Sequence, residues 1–210
     1  MTLVALSASY GAGGGVIGPS LAERLGVPFV DRAIPVQVAE QLDVPVDTAA
    51  AHDEQAPDSF LDRLLRGFIG TDIGVPAPLP AETFTSEDFR LATEKVMLRQ
   101  AQSGEGVILG RGGVIVLRDD PRVLRVRLDG PPERRVRQAM ALRDVDEQTA
   151  KETLTKLDRA QAEYLRQFYG ADVHDCGLYH LVIDSTVLEL DACVGLLARA
   201  AEAFSAGGRA

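Results

Sequence analysis

Lysine is scarce in this 210-residue chain, since three of its 22 basic residues are lysines and the other 19 are arginines. The first is Lys95, so chemistry that needs a lysine among the first 94 residues is excluded. Tryptophan is absent, and the two cysteines, Cys176 and Cys193, lie too far apart for a Cys-x-x-Cys motif. The three histidines share no metal-ligand spacing. We therefore expect neither a disulfide framework nor a zinc site.

The chain also lacks a long hydrophobic run and an excess of positive charge. The apolar stretch Leu3–Leu6 is short and follows no basic segment, so we expect no signal peptide, no membrane span and a cytoplasmic protein. The net charge of −9 argues against binding to a nucleic acid polymer. An apolar content of 46% with 25% charged residues is typical of globular proteins. We expect residues 1–210 to form a single domain.

Short apolar runs bounded by glycine, proline or aspartate recur along the chain. Strands of a parallel sheet lack polar alternation because helices cover both faces. The runs therefore predict five buried strands, at 3–6, 27–30, 106–109, 123–128 and 181–183. Longer segments with helical spacing lie between them, such as Ile17, Leu21 and Leu25, which Gly26 would end. This alternation predicts an α/β fold with a parallel five-stranded sheet flanked by helices.

Residues 40–83 interrupt this alternation. They are rich in aspartate and glutamate and include a stretch broken by Pro76, Pro78 and Pro80. An amphipathic piece at 60–65 lies in the middle of this segment. We interpret the whole segment as a helical insertion that forms a flap, and not as a second domain.

A glycine-rich stretch follows the first predicted strand and opens the first predicted helix. Backbone N–H groups and the helix dipole at such a junction can hold phosphate oxygens. One interpretation is a dinucleotide fold, because Gly13-x-Gly15-x-x-Gly18 matches its fingerprint and Asp31 ends the second strand at a suitable distance for a ribose contact. The chain would then be a nicotinamide-dependent oxidoreductase.

The spacing before the glycines favours a P-loop instead. In a dinucleotide fold the first glycine closes the strand directly, whereas six residues separate Leu6 from Gly13. Ala8-x-x-x-x-Gly13 then stands in place of Gly-x-x-x-x-Gly. Gly14 and Gly15 replace the usual lysine and hydroxyl residue, and neither can neutralise a phosphate or bind Mg²⁺. A third interpretation stays open, in which the glycines only allow the helix to pack closely on the strand.

A series of motifs extends this pattern over nearly the whole chain. They are Ser7-x-x-Tyr10-Gly11-x-Gly13-Gly14, Leu21-Ala22-x-x-Leu25-Gly26-Val27-Pro28-Phe29-x-Asp31, Asp53-Glu54, Gly110-Arg111, the segment 164–170 and Tyr179-x-Leu181-Val182-Ile183-Asp184-Ser185-Thr186. In their order and spacing they resemble the cytidylate kinase-like family of P-loop phosphotransferases. That family usually has charged residues around the glycine pair, where this sequence has Ala8, Ser9, Gly15 and Val16.

The resemblance implies phosphoryl transfer from ATP with Mg²⁺ to a small acceptor such as a nucleoside monophosphate. The residues expected to hold the ATP phosphates through their backbone amides are Gly11, Ala12, Gly13, Gly14 and Gly15. A second hypothesis is a degenerate nucleotide-binding or regulatory protein without kinase activity, which the lysine-free loop favours. The expected partners are a nucleotide and a small acceptor, with no nucleic acid polymer and no membrane. The oligomeric state stays open, with a homodimer among the options.

Arginine is concentrated in residues 111–143, where nine arginines face four carboxylates and give a net charge of +5. Guanidinium groups bind phosphate oxygens in pairs and stay charged, which suits phosphoryl transfer. Arg111 is the strongest candidate, because it follows the carboxyl end of a strand, where α/β folds bind ligands. The related kinases have Gly-Arg-Asp there and bind the acceptor with it. Gly112 replaces that aspartate, so no cytosine preference is expected, and an exposed surface role for Arg111 is the alternative.

The resemblance also implies a lid, at residues 143–175, and an acceptor-binding role for the flap. Lid closure excludes water and so favours transfer over ATP hydrolysis. The candidate phosphate-binding arginines are Arg134, Arg135 and Arg137 on the helix after the fourth strand, and Arg159 and Arg166 on the next helix. Arg159 and Arg166 are our candidates for catalytic residues with Arg111. For each of these arginines, a solvated helix face is the alternative.

Two carboxylates complete the candidate site. Asp31 follows the second strand and would bind an acceptor hydroxyl, or Mg²⁺ through water. Its alternative role is the N-cap of a following helix. Asp53 lies in the flap and would approach the acceptor, with a solvated acidic face as the alternative.

Overall fold

The computed structural model describes residues 2–32, 86–110 and 112–207. The strands are β1 (Leu3–Ala8), β2 (Phe29–Arg32), β3 (Gly106–Gly110), β4 (Val123–Asp129) and β5 (Leu181–Asp184). The helices are α1 (Gly14–Leu25), α2 (Ser86–Ser103), α3 (Gly113–Val116), α4 (Pro132–Arg143), α5 (Glu147–Tyr169) and α6 (Leu190–Ala206), with a short 3₁₀ turn at Cys176–Leu178. The predicted flap at 40–83 lies outside the described residues.

The five strands lie where the apolar runs predicted them, with one shift at β2. It begins at Phe29 and not at residue 27. Gly26 ends α1 in the left-handed conformation with a φ of 67°, and the Val27 amide turns back to the Ala22 carbonyl at 3.0 Å. Pro28 has no amide hydrogen to donate. The helix cap therefore delays the start of the strand.

Side-chain alternation along β1 sends apolar residues into two separate layers. Val4 and Leu6 pack with α1 and α6 on one face of the sheet. Leu3 and Ala5 pack with α2, α3 and α5 on the other. Since both faces are covered, the runs read as continuously apolar. None of the helices in the described part of the chain has the length and apolar character needed to cross a bilayer.

The strand order decides between the two nucleotide-binding interpretations of the glycine loop. All strands are parallel and follow the order β2-β3-β1-β4-β5. In a dinucleotide fold the first two strands are neighbours. Here β3 lies between them, with Leu3 of β1 beside Gly106 and Phe29 of β2 beside Val107. The order is that of a P-loop fold, and the alternative of a dinucleotide fold is wrong.

Gly18 and Gly15 offer a matched test of how α1 packs. A Cβ at Gly18 would lie 2.7 Å from Cε2 of Phe29 in β2, whereas a Cβ at Gly15 would meet nothing within 4 Å. We expect Gly18→Ala to lower the free energy of unfolding by about 1–2 kcal/mol through overpacking. Gly15→Ala is expected to raise it by about 0.5 kcal/mol, since alanine favours a helix. Urea denaturation of both variants measures this, and equal changes would contradict the packing.

Candidate functional site

The loop between β1 and α1 passes twice through left-handed backbone. Gly11 has a φ of 77° and Gly13 a φ of 74°. Between them, the Ala12 amide donates to the Ser9 carbonyl at 3.0 Å. Such alternation of left-handed and ordinary residues turns N–H groups toward a common point and forms a concave anion-binding nest.

The N-terminus of α1 adds to this nest. Gly13 is the N-cap residue, and no side chain caps the helix there. The amides of Val16 and Ile17 bind the Gly13 carbonyl at 3.0 and 2.8 Å. The amides before them have no acceptor within the helix, and the helix dipole gives this end a partial positive charge. The junction can therefore bind phosphate oxygens.

A steric relation explains why the loop holds glycine where a P-loop usually has lysine. A Cβ built on Gly14 would lie 2.5 Å from the Cβ of Ala8. Both Cβ positions are fixed by backbone, so no rotamer change can relieve the overlap. Ala8 stands at the position of the first glycine of the P-loop pattern. The methyl group of Ala8 thus excludes a side chain at position 14.

Arg127 of β4 lies buried beneath the loop, with 4% of its side chain exposed. Its Nη1 donates to Ser7 Oγ at 2.9 Å and its Nη2 to Ser9 Oγ at 2.7 Å. Its Nε and Nη2 bind Asp129 Oδ2 at 3.1 and 3.0 Å, and Gln161 Oε1 accepts at 3.5 Å. Every nitrogen of the guanidinium therefore has a partner. Arg127 joins both ends of Ala8 to the neighbouring strand.

Arg135 of α4 holds the outer side of the loop and is also buried, with 6% of its side chain exposed. It donates to the Tyr10 carbonyl at 3.0 Å and to the Gly130 carbonyl at 2.8 Å. Two further bonds reach the Asp158 carboxylate of α5, at 3.0 and 2.7 Å. A Cβ on Gly11 would lie 2.2 Å from the Arg135 carbonyl oxygen. Arg135 thus ties the loop to both α4 and α5.

The other two arginines that open α4 differ in their surroundings. Arg134 pairs with the Asp184 carboxylate at the end of β5. Arg137 is exposed. Of the three α4 arginines predicted to act on phosphates, two are therefore committed to carboxylates in this structure.

A family model described as cytidylate kinase-like matches residues 3–187 of this chain. The chain belongs to the cytidylate kinase-like family. The resemblance seen in its motifs is therefore confirmed, together with the P-loop type of fold. No curated relative matches the chain by sequence.

Solved structures of low sequence identity are similar to this chain to different degrees. An uncharacterized protein from Eubacterium ventriosum ATCC 27560 has a TM-score of 0.65 and 19% identity, covering 96% of this chain and 99% of its own. A shikimate kinase from Bacteroides thetaiotaomicron has a TM-score of 0.49 and 14% identity, covering 96% and 98%. A gluconokinase from Sinorhizobium meliloti 1021 has a TM-score of 0.49 and 17% identity, covering 99% and 98%.

Most of the predicted acceptor residues of this cytidylate kinase-like chain are not among the described residues. Arg111, Asp53 and the side chain of Asp31 lie outside the described part. The backbone of Asp31 is described, and it pairs with Leu109 across β2 and β3. Asp31 therefore lies near the carboxyl end of β2, beside the carboxyl end of β3.

A cleft lies between the carboxyl ends of β1 and β3 and helix α5. Ser7, Gly112 and Gln161 are among its lining residues. The ring of Tyr169 packs against Gly112, where an added Cβ would lie 2.7 Å from Cε2 of that ring. The Tyr169 hydroxyl donates to Glu94 Oε1 at 2.9 Å. Burial, followed by contacts with Tyr164 and Glu94, raises the pKa of Tyr169 far above its usual range, so the hydroxyl stays a donor.

The two α5 arginines, Arg159 and Arg166, are exposed on one continuous helix. Arg159 Nε donates to Glu163 Oε1 at 2.7 Å. The two residues are four apart, the spacing at which ion pairs form along an exposed helix face. Within residues 2–32, 86–110 and 112–207, no three metal-binding side chains of His, Cys, Asp or Glu form a group.

Several residues that shape the loop carry no local sequence signal. The hydroxyl of Ser185, which follows β5, donates to the Ala12 carbonyl at 2.7 Å. Gln138 Nε2 donates to the Gly11 carbonyl at 3.0 Å. Arg127 lies in the mostly apolar strand β4, which Arg125 interrupts as well, so its charge does not single it out.

Asp129 is the shared counter-ion of this site. Burial raises the pKa of its carboxyl, but the charge of Arg127, a hydrogen bond with Ser9, the Gly130 amide and the charge of Arg135 outweigh that effect. The pKa of Asp129 therefore lies below its ordinary value of 3.8. Its carboxylate stabilises the folded chain while it is ionised.

The steric relation of Ala8 and Gly14 predicts a coupled pair of substitutions. We expect Gly14→Ala to lower the free energy of unfolding by about 2 kcal/mol, because its Cβ meets that of Ala8. Ala8→Gly in the same chain should recover more than half of that loss. A double-mutant cycle by urea denaturation measures the coupling. Independent, additive effects would contradict the overlap.

Acid titration tests the role of Asp129. Its stabilising effect is complete above the pKa of the unfolded chain and is lost as the pH falls through the lower folded-state pKa. The stability difference between wild type and Asp129→Asn should therefore be largest near neutral pH and shrink below about pH 4. Asp119→Asn is the control, since that carboxylate is 92% exposed. An Asp129→Asn difference that is unchanged between neutral and acidic pH would refute this role.

Proposed function

We propose that this protein transfers a phosphoryl group from ATP to a small acceptor, with nucleoside monophosphates as the first class to test. One observation carries the proposal. In a chain of the cytidylate kinase-like family, the uncapped N-terminus of α1 and the two left-handed glycines form an anion-binding turn at the carboxyl end of β1. Open α/β sheets bind their ligands at that edge.

The proposed roles follow from position. The backbone amides of Gly11–Gly15 hold the ATP phosphates, and Arg111, Asp31 and Asp53 hold the acceptor. The two α5 arginines supply positive charge when the lid closes and water is excluded. Phosphoryl transfer requires mainly positioning of the reactants and stabilisation of charge. These groups provide both, and no covalent intermediate is needed.

Magnesium has no side-chain ligand at the usual place on α1. Position 15 is glycine, where a P-loop has a serine or threonine hydroxyl. The Asp129 carboxylate near the loop is already bound by two arginines. Mg²⁺ would therefore come bound to the ATP phosphates, and we assign no step to a metal held by the protein.

A second candidate function is nucleotide binding without transfer. It is supported by Gly14 and Gly15, which provide neither a cation nor a metal ligand. It is also supported by the pairing of Arg134 and Arg135 with Asp184 and Asp158, which leaves those charges neutralised. The two functions share the phosphate site and differ in whether the acceptor reacts.

The deciding experiment measures binding and turnover on the same full-length protein. Calorimetry with Mg·ATP measures binding, and release of ADP is followed with each nucleoside monophosphate and with no acceptor. Under the kinase proposal, one acceptor raises ADP release well above the rate without acceptor. Arg111→Ala should then raise the acceptor KM by about ten-fold or more, because a charge-assisted contact is lost. ATP affinity should stay unchanged.

Arg118→Ala is the matched control, since Arg118 belongs to the same arginine-rich segment but is 60% exposed and pairs with Asp119. It should leave both KM values unchanged. ATP binding with no acceptor-dependent ADP release would favour the binding protein. Absence of ATP binding would reject both functions, and equal loss of ATP and acceptor use in Arg111→Ala would reject the acceptor role.

A further inference from the structure

The carbonyl groups of the glycine loop are bound by side chains from α4 and from the segment after β5. The Tyr10 carbonyl accepts from Arg135, on α4, at 3.0 Å. The Gly11 carbonyl accepts from Gln138, one turn further along α4, at 3.0 Å. The Ala12 carbonyl accepts from Ser185, after β5, at 2.7 Å. The Ala8 carbonyl, before the loop, faces Gln161 of α5 at 3.4 Å.

A bound carbonyl fixes the direction of the next amide. The C=O of one residue and the N–H of the following residue share a planar trans peptide and point in opposite directions. Binding the Tyr10 carbonyl therefore directs the Gly11 amide away from Arg135. Binding the Ala12 carbonyl directs the Gly13 amide away from Ser185. Gly11 and Gly13 are the two residues of the loop that have left-handed backbone.

The Gly11 carbonyl has a different task. Its peptide carries the Ala12 amide, which donates to the Ser9 carbonyl at 3.0 Å and closes the turn. Gln138 therefore holds the turn itself, while Arg135 and Ser185 aim the amides on either side of it. Both outer donors are enclosed by the fold, since Ser185 and Arg135 are buried.

We propose that Ser185 and Gln138, with Arg135, are positioning residues that hold the amides of Gly11 and Gly13 in a preformed phosphate-binding nest. The inference rests on the proposed function, because it deepens the same phosphate site. Without a loop lysine, the amides and the helix dipole carry phosphate binding, so their orientation sets the affinity. Orienting them before the ligand arrives removes the ordering cost from binding.

Arg135 also binds Asp158, so its substitution would disturb the contact between α4 and α5. Ser185→Ala and Gln138→Met are cleaner, since each removes a donor to a loop carbonyl at similar or smaller volume. Ser185 is buried and Gln138 is half-buried, so the second variant serves if the first does not fold. Val123→Ala is the control, because Val123 is fully buried at the amino end of β4, away from the loop.

The test is calorimetry with sodium tripolyphosphate, a probe without base or ribose, combined with NMR of the backbone amides. Wild type should bind, and the Gly11 and Gly13 amides should shift on titration. The affinity of Ser185→Ala and of Gln138→Met should fall about ten-fold, as expected for loss of about 1.4 kcal/mol. Val123→Ala should lose thermal stability while keeping the wild-type affinity.

The outcomes separate this inference from the function it rests on. If wild type binds neither tripolyphosphate nor Mg·ATP, the phosphate site itself is wrong and the inference falls with it. If wild type binds and both donor-deleted variants keep its affinity within about two-fold, the positioning role is overturned while the phosphate site stands. If Val123→Ala loses affinity to the same extent as the two variants, the loss reflects general destabilisation, which also overturns the positioning role.

Discussion

The buried guanidinium of Arg127 sets the constraint on which the site depends. A charge enclosed at 4% exposure needs a full set of partners, because an unpaired buried charge costs several kcal/mol. Asp129 provides the counter-charge, and Ser7 and Ser9 provide hydroxyl acceptors on either side of Ala8. The end of β1 cannot move without breaking these bonds. The glycine loop therefore begins from a fixed point on the sheet.

The same pairing changes how the arginine-rich segment is understood. Its net charge of +5 suggests a surplus of cations around a phosphate. In the folded chain, Arg127 pairs with Asp129 inside the segment. Arg134 and Arg135 pair with Asp184 and Asp158, which both lie outside it. Part of the segment's positive charge is thus neutralised by carboxylates from elsewhere in the chain. Under the proposed function, attraction for a phosphate would come chiefly from oriented amides and the dipole of α1, whose first turn contains no acidic residue.

Sequence reasoning predicted the elements of the fold because they depend on local pattern. The apolar runs marked the strands, and Gly26 ended α1 as its position predicted. The partners of the loop could not be predicted, because they lie far along the chain. Arg127 binds Ser9 across 118 residues, and Ser185 binds Ala12 across 173. The overlap of Ala8 with a Cβ on Gly14 is likewise a property of three-dimensional packing, which a one-dimensional motif does not contain.

The free-energy cost of burying Arg127 and Arg135 is relevant to the function of the loop. Replacing a buried ion pair by apolar residues of similar volume is often neutral or stabilising, so stability alone gives little reason to keep Arg127 and Arg135 inside. Both arginines donate hydrogen bonds to the ends of the loop and to carboxylates near it. A loop that served only to pack helix on strand would need none of this. The arrangement fits the fixed orientation of the loop amides that a phosphate site would require in either of the two proposed functions.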